Sequence, residues 1–173
     1  MVRLMIICFL VISQSLFADE ATDDLADQKL RLGGAFVTWN YEESGQTYAP
    51  ISFEGILDYV FFEPLELSLR VGMGFGDDEG EETSTDSVGV DLYKSFYFKP
   101  YVSLDNMRVY ALFGYADYDI DSNTSPEASG VSYGAGADYN LFNAANVFFE
   151  WRQLPETENI DLASISLGLS LSY

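Results

Sequence analysis

The last ten residues constrain this chain most. From Ser164 to Tyr173 small polar and large apolar side chains alternate without a break. A strand points successive side chains to opposite faces. Ile165, Leu167, Leu169, Leu171 and Tyr173 therefore share one face, and Ser164, Ser166, Gly168, Ser170 and Ser172 the other. Termini fray in water, so a soluble domain rarely ends on its most apolar strand. In hydrocarbon a sheet must close, because an open edge leaves backbone groups unpaired at several kcal/mol each. This strand is expected to close a transmembrane β-barrel.

The start of the chain fits an exported protein. Arg3, the apolar run of residues 4–12 and Ser15-Leu16-Phe17-Ala18 read as a signal peptide, residues 1–18, cut before Asp19. The run is shorter than the roughly 20 residues of a spanning helix. The single cysteine, Cys8, lies inside it, with no lipobox before it, so the exported chain has neither disulfide nor cysteine metal site. Residues 19–30 form an acidic lead, and residues 31–173 one domain. Without Arg3, seven basic residues face 28 acidic ones. That balance argues against nucleic acid, which needs basic patches. It also implies repulsion from anionic surfaces unless divalent cations bridge them.

Eight segments of membrane-strand length follow. In residues 32–41 the expected lipid face is Ala35, Val37, Trp39 and Tyr41. In 51–61 Ile51, Phe53, Leu57, Tyr59 and Phe61 face out, and Ser52, Glu54 and Asp58 in. In 65–76 Leu65, Leu67, Leu69, Val71, Met73 and Phe75 face out, and Glu66, Ser68 and Arg70 in. Residues 88–101 put Val90, Leu92, Phe96 and Phe98 outside, but Lys94 shares their parity. A bulge, or a lysine snorkelling at an interface, resolves that conflict. Residues 107–118 are apolar on both faces, so their facing stays open. In 131–141 Val131, Tyr133, Ala135, Ala137, Tyr139 and Leu141 face out, and Ser132, Gly134, Gly136, Asp138 and Asn140 in. In 147–154 Val147, Phe149 and Trp151 face out, and Phe148, Glu150 and Arg152 in; the last strand begins near Ile160. Short connections (62–64, 103–106, 143–146) alternate with longer polar ones (42–49, 77–87, 119–130, 155–159), as in an up-and-down barrel with short periplasmic turns and longer outer loops. The expected fold is all-β, an eight-stranded antiparallel up-and-down transmembrane β-barrel.

Three stretches carry a resemblance: residues 131–141 (VSYGAGADYNL) with 149–152 (FEWR), the segment 109–115 (VYALFGY), and the terminal 167–173 (LGLSLSY). The chain resembles the small Gram-negative, porin-like outer membrane protein β-barrel family, akin to OmpX and the OmpA transmembrane domain. The resemblance spans most of residues 31–173 and implies the bacterial outer membrane. It also implies insertion by the outer-membrane assembly machinery, which reads a final strand ending in an aromatic; Leu169, Leu171 and Tyr173 would be that signal. It implies no single activity, since family members include structural proteins, adhesins and narrow or closed channels.

The inward charges Glu54, Asp58, Glu66, Arg70, Asp138, Glu150 and Arg152 form the main candidate constellation. An eight-stranded barrel is just wide enough for side chains to fill it. Charges there must pair or reach water. The structural reading is a network in which Arg70 and Arg152 join the acids, with Glu150 and Glu66 as first partners. The functional alternative is a gated proton or ion path. Asp77, Asp78, Glu79, Glu81, Glu82 and Asp86 crowd one loop, which reads as a solvated charged loop or, less favoured, as a divalent-cation site. The run Asp117, Asp119, Asp121, Asn123 resembles the opening of an EF-hand loop, but Ser122 and Ala128 occupy its glycine and glutamate positions. Trp39, Tyr41, Tyr59, Phe61, Tyr133, Tyr139, Trp151 and Tyr173 are expected in the interfacial aromatic girdles. Ligand stacking by Tyr48 is a weaker reading.

With no histidine in the chain, an acid–base site of the usual kind is absent, and no enzyme activity and no cofactor are expected. The leading reading is a non-enzymatic outer-membrane barrel, monomeric, in contact with lipid and lipopolysaccharide and acting structurally or through acidic outer loops. A narrow ion or small-solute channel is the alternative. A soluble periplasmic ligand-binding barrel is the third, disfavoured by the small and charged residues its lumen would carry.

Overall fold

A computed structural model describes residues 29–43, 46–76, 88–121, 127–142, 144–155 and 160–173. The strands are β1 (Leu30–Glu43), β2 (Gln46–Tyr48), β3 (Ile51–Phe62), β4 (Leu65–Gly76), β5 (Gly89–Leu104), β6 (Met107–Asp121), β7 (Glu127–Phe142), β8 (Ala145–Gln153) and β9 (Ile160–Ser172). Every neighbour is antiparallel, and β1 pairs with both β3 and β9, so the sheet closes. Eight staves form the wall. The three-residue β2 pairs with the far end of β1, Tyr41 opposite Tyr48, so part of the expected 42–49 loop is a ribbon instead. At the seam Tyr173 N donates to Leu30 O at 2.8 Å and Leu30 N to Tyr173 O at 3.2 Å.

Closure needs strand tilt and a fixed stagger. Paired residues lead once round the wall from Tyr139 through Val147, Leu169, Gly34, Gly55, Val71, Lys94 and Asp117 to Ser129. The path returns to β7 ten positions nearer its loop end, 129 against 139. Turns at Glu63–Pro64 and Asp105–Asn106 mark one end of the barrel. Asp105 takes a left-handed φ of 51°, which aspartate tolerates in a tight turn.

Large apolar side chains cover the outside of the wall, among them Leu69, Val71, Phe113, Val131, Phe149 and Leu167. A soluble ligand-binding barrel has the reverse arrangement, so that reading falls. The facing of β3, β4, β7, β8 and β9 follows the alternation of their sequences. Two strands differ from expectation. In β1 the faces are exchanged: Ala35, Val37, Trp39 and Tyr41 are buried in the lumen, and Phe36 stands 64% exposed outside. Both faces of β1 are apolar enough for lipid, and the lumen claims the one whose indole finds a polar partner. Trp39 Nε1 donates to Ser52 Oγ at 2.8 Å, and Ser52 Oγ lies 3.3 Å from Tyr93 OH. In β5 a register shift between Val90 and Tyr93 turns Val90 inward while Leu92, Lys94 and Phe98 stay outside. Lys94 Nζ is 2.9 Å from Asp117 Oδ2 on the outer surface. β6, left open by its sequence, sends Tyr110, Leu112, Ala116, Tyr118 and Ile120 inward.

Candidate functional site

The lumen has two tiers. At the loop end Trp39, Tyr41, Tyr48, Tyr93, Tyr118 and Leu162 belong to one apolar cluster. Tyr41 and Tyr48 are therefore lumen residues packed 6.0 Å apart, neither a girdle ring nor an exposed stacking platform. Tyr118 OH donates to Pro155 O at 2.6 Å and fastens that tier to the wall. Rings fit because facing positions are glycine. A Cβ on Gly72 would lie 2.1 Å from the Tyr93 ring, and one on Gly136 2.7 Å from the Tyr110 ring.

Below lies the charged tier. Arg70 forks onto Glu150, pairing Nη1 with Oε1 and Nη2 with Oε2, the latter at 3.0 Å. Its Nη1 also reaches Glu54 Oε1 at 3.2 Å, and its Nε donates to Ser68 Oγ at 3.1 Å. Arg152 donates to Glu54 Oε2 at 2.7 Å and to Ser166 Oγ at 2.9 Å. Tyr110 OH donates to Glu150 Oε2 at 2.9 Å. Two arginines thus share two glutamates, and all four side chains are buried. Towards the turn end a second group forms. Lys99 holds Asp58 at 2.7 Å and lies 3.5 Å from Glu66. Arg108 donates to Glu66 at 2.6 Å and forks onto Asp138. Arg31 lies 3.1 Å from Glu66. Lys99 and Arg108 also stand over the Tyr110 and Tyr101 rings, 4.2 and 5.0 Å from their centroids.

All seven charges singled out by the sequence are buried in this lumen. Glu66, however, has Arg108, Arg31 and Lys99 as partners, not Arg70 or Arg152. Sequence reasoning missed those three cations. Lys99 shares the inward parity of β5, hidden by the Lys94 conflict. Arg31 lies on the strand whose faces were exchanged, and Arg108 on the strand left open. Charge balance was the available signal: five inward acids against two inward bases call for more cations. The lumen supplies them, Arg31, Arg70, Lys99, Arg108 and Arg152 against Glu54, Asp58, Glu66, Asp138 and Glu150. Of the eight lysines and arginines in the sequence, five are used here.

A cavity of about 10 Å³, the room of a single water, is lined by Ile56, Asp58, Arg70, Lys99, Asp138, Phe148, Glu150 and Ser170. Among the described residues no cluster of potential metal ligands occurs. The acidic residues 77–86 and Asn123 lie outside the described residues, while Asp117 is engaged with Lys94 and Ala128 is buried. Leu169 and Tyr173 face outward at the seam.

A closed antiparallel barrel of this kind has counterparts among known proteins. The outer membrane protein beta-barrel domain model matches residues 6–172. The chain belongs to that family. Its members' place is the bacterial outer membrane, with short turns at the periplasmic end and longer loops outside. Among solved structures, Ail of Yersinia pestis is similar with a TM-score of 0.62 at 15% identity, over 84% of this chain and 99% of that one. OprG of Pseudomonas aeruginosa gives 0.64 at 10% identity, over 87% and 99%. Neisserial surface protein A gives 0.64 at 8% identity, over 83% and 97%. At such identities the likeness concerns the fold. No curated protein is significantly similar in sequence.

Proposed function

We propose that this family member is a non-conducting, non-enzymatic barrel that serves the outer membrane structurally and meets its surroundings through acidic outer loops. The observation that carries this reading is the filled lumen. Five cations neutralise five acids, an apolar tier packs above them, and the cavity within the charged tier has room for about one water. A path for ions would have to break buried pairs, each costly to separate. The network is then a structural strut. The signal peptide, the acidic lead, insertion by the assembly machinery through Leu169, Leu171 and Tyr173, and a monomeric state belong to the same proposal.

Ail has been seen in complex with the heparin analogue sucrose octasulfate. A polyanion of that kind suits this chain poorly, because its loops are acidic and its cations sit in the lumen. Contact with lipopolysaccharide phosphates instead runs through bridging divalent cations. Planar-bilayer recording of the purified barrel tests the main reading. A silent bilayer is expected; regular unitary steps that vanish in a heat-denatured control would establish the narrow channel instead.

A further inference from the structure

The sheet register sets how high each outward side chain stands. Paired positions climb ten residues per circuit, so each step to the next stave raises a paired position by a little over one residue. On that scale Phe75 of β4 stands level with Asn40 of β1. Ile51, Leu92 and Asp161 lie within about two residues of the same level.

Their chemistry depends on the wall. On β3, β4 and β5 the top positions are Ile51, Met73, Phe75 and Leu92, with 41%, 51%, 60% and 48% of their surface exposed. On β8, β9 and β1 the last large outward apolar side chains, Trp151, Ile165 and Phe36, stand about two outward positions lower; above them come Gln153 on β8, Ala163 then Asp161 on β9, and Thr38 then Asn40 on β1. The offset is confined to the outer end: at the periplasmic end Phe61 and Phe62 of β3 and Val102 and Leu104 of β5 stand exposed about as low as Tyr173 of β9. The high patch is continuous with the lipid belt. Phe36 meets Phe53 and Phe75 edge-on, with centroids 5.8 and 6.1 Å apart.

We propose that outer-leaflet acyl chains cover Ile51, Met73, Phe75 and Leu92, so that the membrane boundary crosses this barrel obliquely, high on the β3–β5 wall and low on the β8–β1 wall. Lipid is the occupant because the patch extends a surface already in lipid, and because the bilayer can adjust its thickness locally at modest cost to keep apolar surface out of water. The proposal rests on the outer-membrane setting and not on whether the lumen conducts.

Tryptophan quenching by brominated lipid tests it. The parent is Trp151→Phe, whose remaining indole, Trp39, is in the lumen. Phe75→Trp and Asn40→Trp are made separately in that parent. The folded proteins are compared in vesicles of dibrominated phosphatidylcholine diluted into the unbrominated lipid. Quenching of the added indole is expected to be several-fold stronger at 75 than at 40. Equal quenching at the two positions would overturn the proposal. So would quenching at 75 that disappears as the protein-to-lipid ratio rises, since a second copy would then cover the patch. Leu92→Trp gives the same comparison if Phe75→Trp does not fold.

Discussion

Arg70 shows what a single side chain decides in a lumen this narrow. Its guanidinium serves Glu54 and Glu150 together, and both glutamates are buried. Removing one partner of a buried pair leaves an uncompensated charge, at a cost of about 3–5 kcal/mol. Arg70→Ala should lower the urea unfolding midpoint accordingly. Arg70→Met combined with Glu150→Leu should lose much less, because it removes a cation and an anion together and keeps the volume filled. Equal losses in the two variants would mean that packing, not charge, carries the effect. The glycines opposite the rings make a second point of the same size. Gly72→Ala would drive a methyl into the Tyr93 ring, and overpacking of that kind costs about 1–3 kcal/mol. Unfolding of Gly72→Ala should show that loss, and Tyr93→Leu added to it should restore part of the midpoint.

At the scale of the element, legibility followed the contrast between faces. β4 and β9 were readable because Leu, Val and Met alternate with Ser, Gly and charge, and only one face suits hydrocarbon. β1 was not, because both of its faces carry apolar side chains and alternation alone cannot say which meets lipid and which meets the lumen. What decides is packing between strands inside the lumen: Trp39 finds Ser52 on β3 and lies 4.8 Å from Tyr93 on β5, edge to face. No local pattern records contacts between residues so far apart in sequence. β5 hid its facing for another reason, a register shift that reverses parity between Val90 and Tyr93. The same blind spots concealed Arg31, Lys99 and Arg108, so three of the five lumen cations escaped the sequence while the barrel itself did not. The facing of β1 can be measured. With Trp151→Phe, the remaining Trp39 should resist quenching by brominated lipid; with Trp39→Phe, the remaining Trp151 should be quenched strongly. Strong quenching of Trp39 would restore the orientation expected from the sequence, with Trp39 facing lipid.

For the whole molecule the decisive quantity is where the charge lies rather than how much there is. The chain carries a formal charge of −20, yet its lumen is balanced, five against five. The excess therefore lies outside these ion pairs. Asp77, Asp78, Glu79, Glu81, Glu82 and Asp86 alone add six acids between β4 and β5, and Lys94, paired with Asp117, is the one exposed lysine or arginine on the described strands. Such a surface should repel sulfated polysaccharide whatever the similarity of the scaffold, because long-range attraction follows surface charge and not fold. The folded protein should pass through a heparin column at low salt. Exchanging the six loop acids for lysine should produce retention, released as the ionic strength climbs past about 0.1 M and the Debye length falls to about 10 Å. These residues are remote in sequence from the ion-paired lumen, so the barrel's heat-modifiable gel mobility should not change. Retention of the unaltered protein would show that its recognition chemistry does not follow its net charge, and would move attention from the acidic loop to local features of the rim.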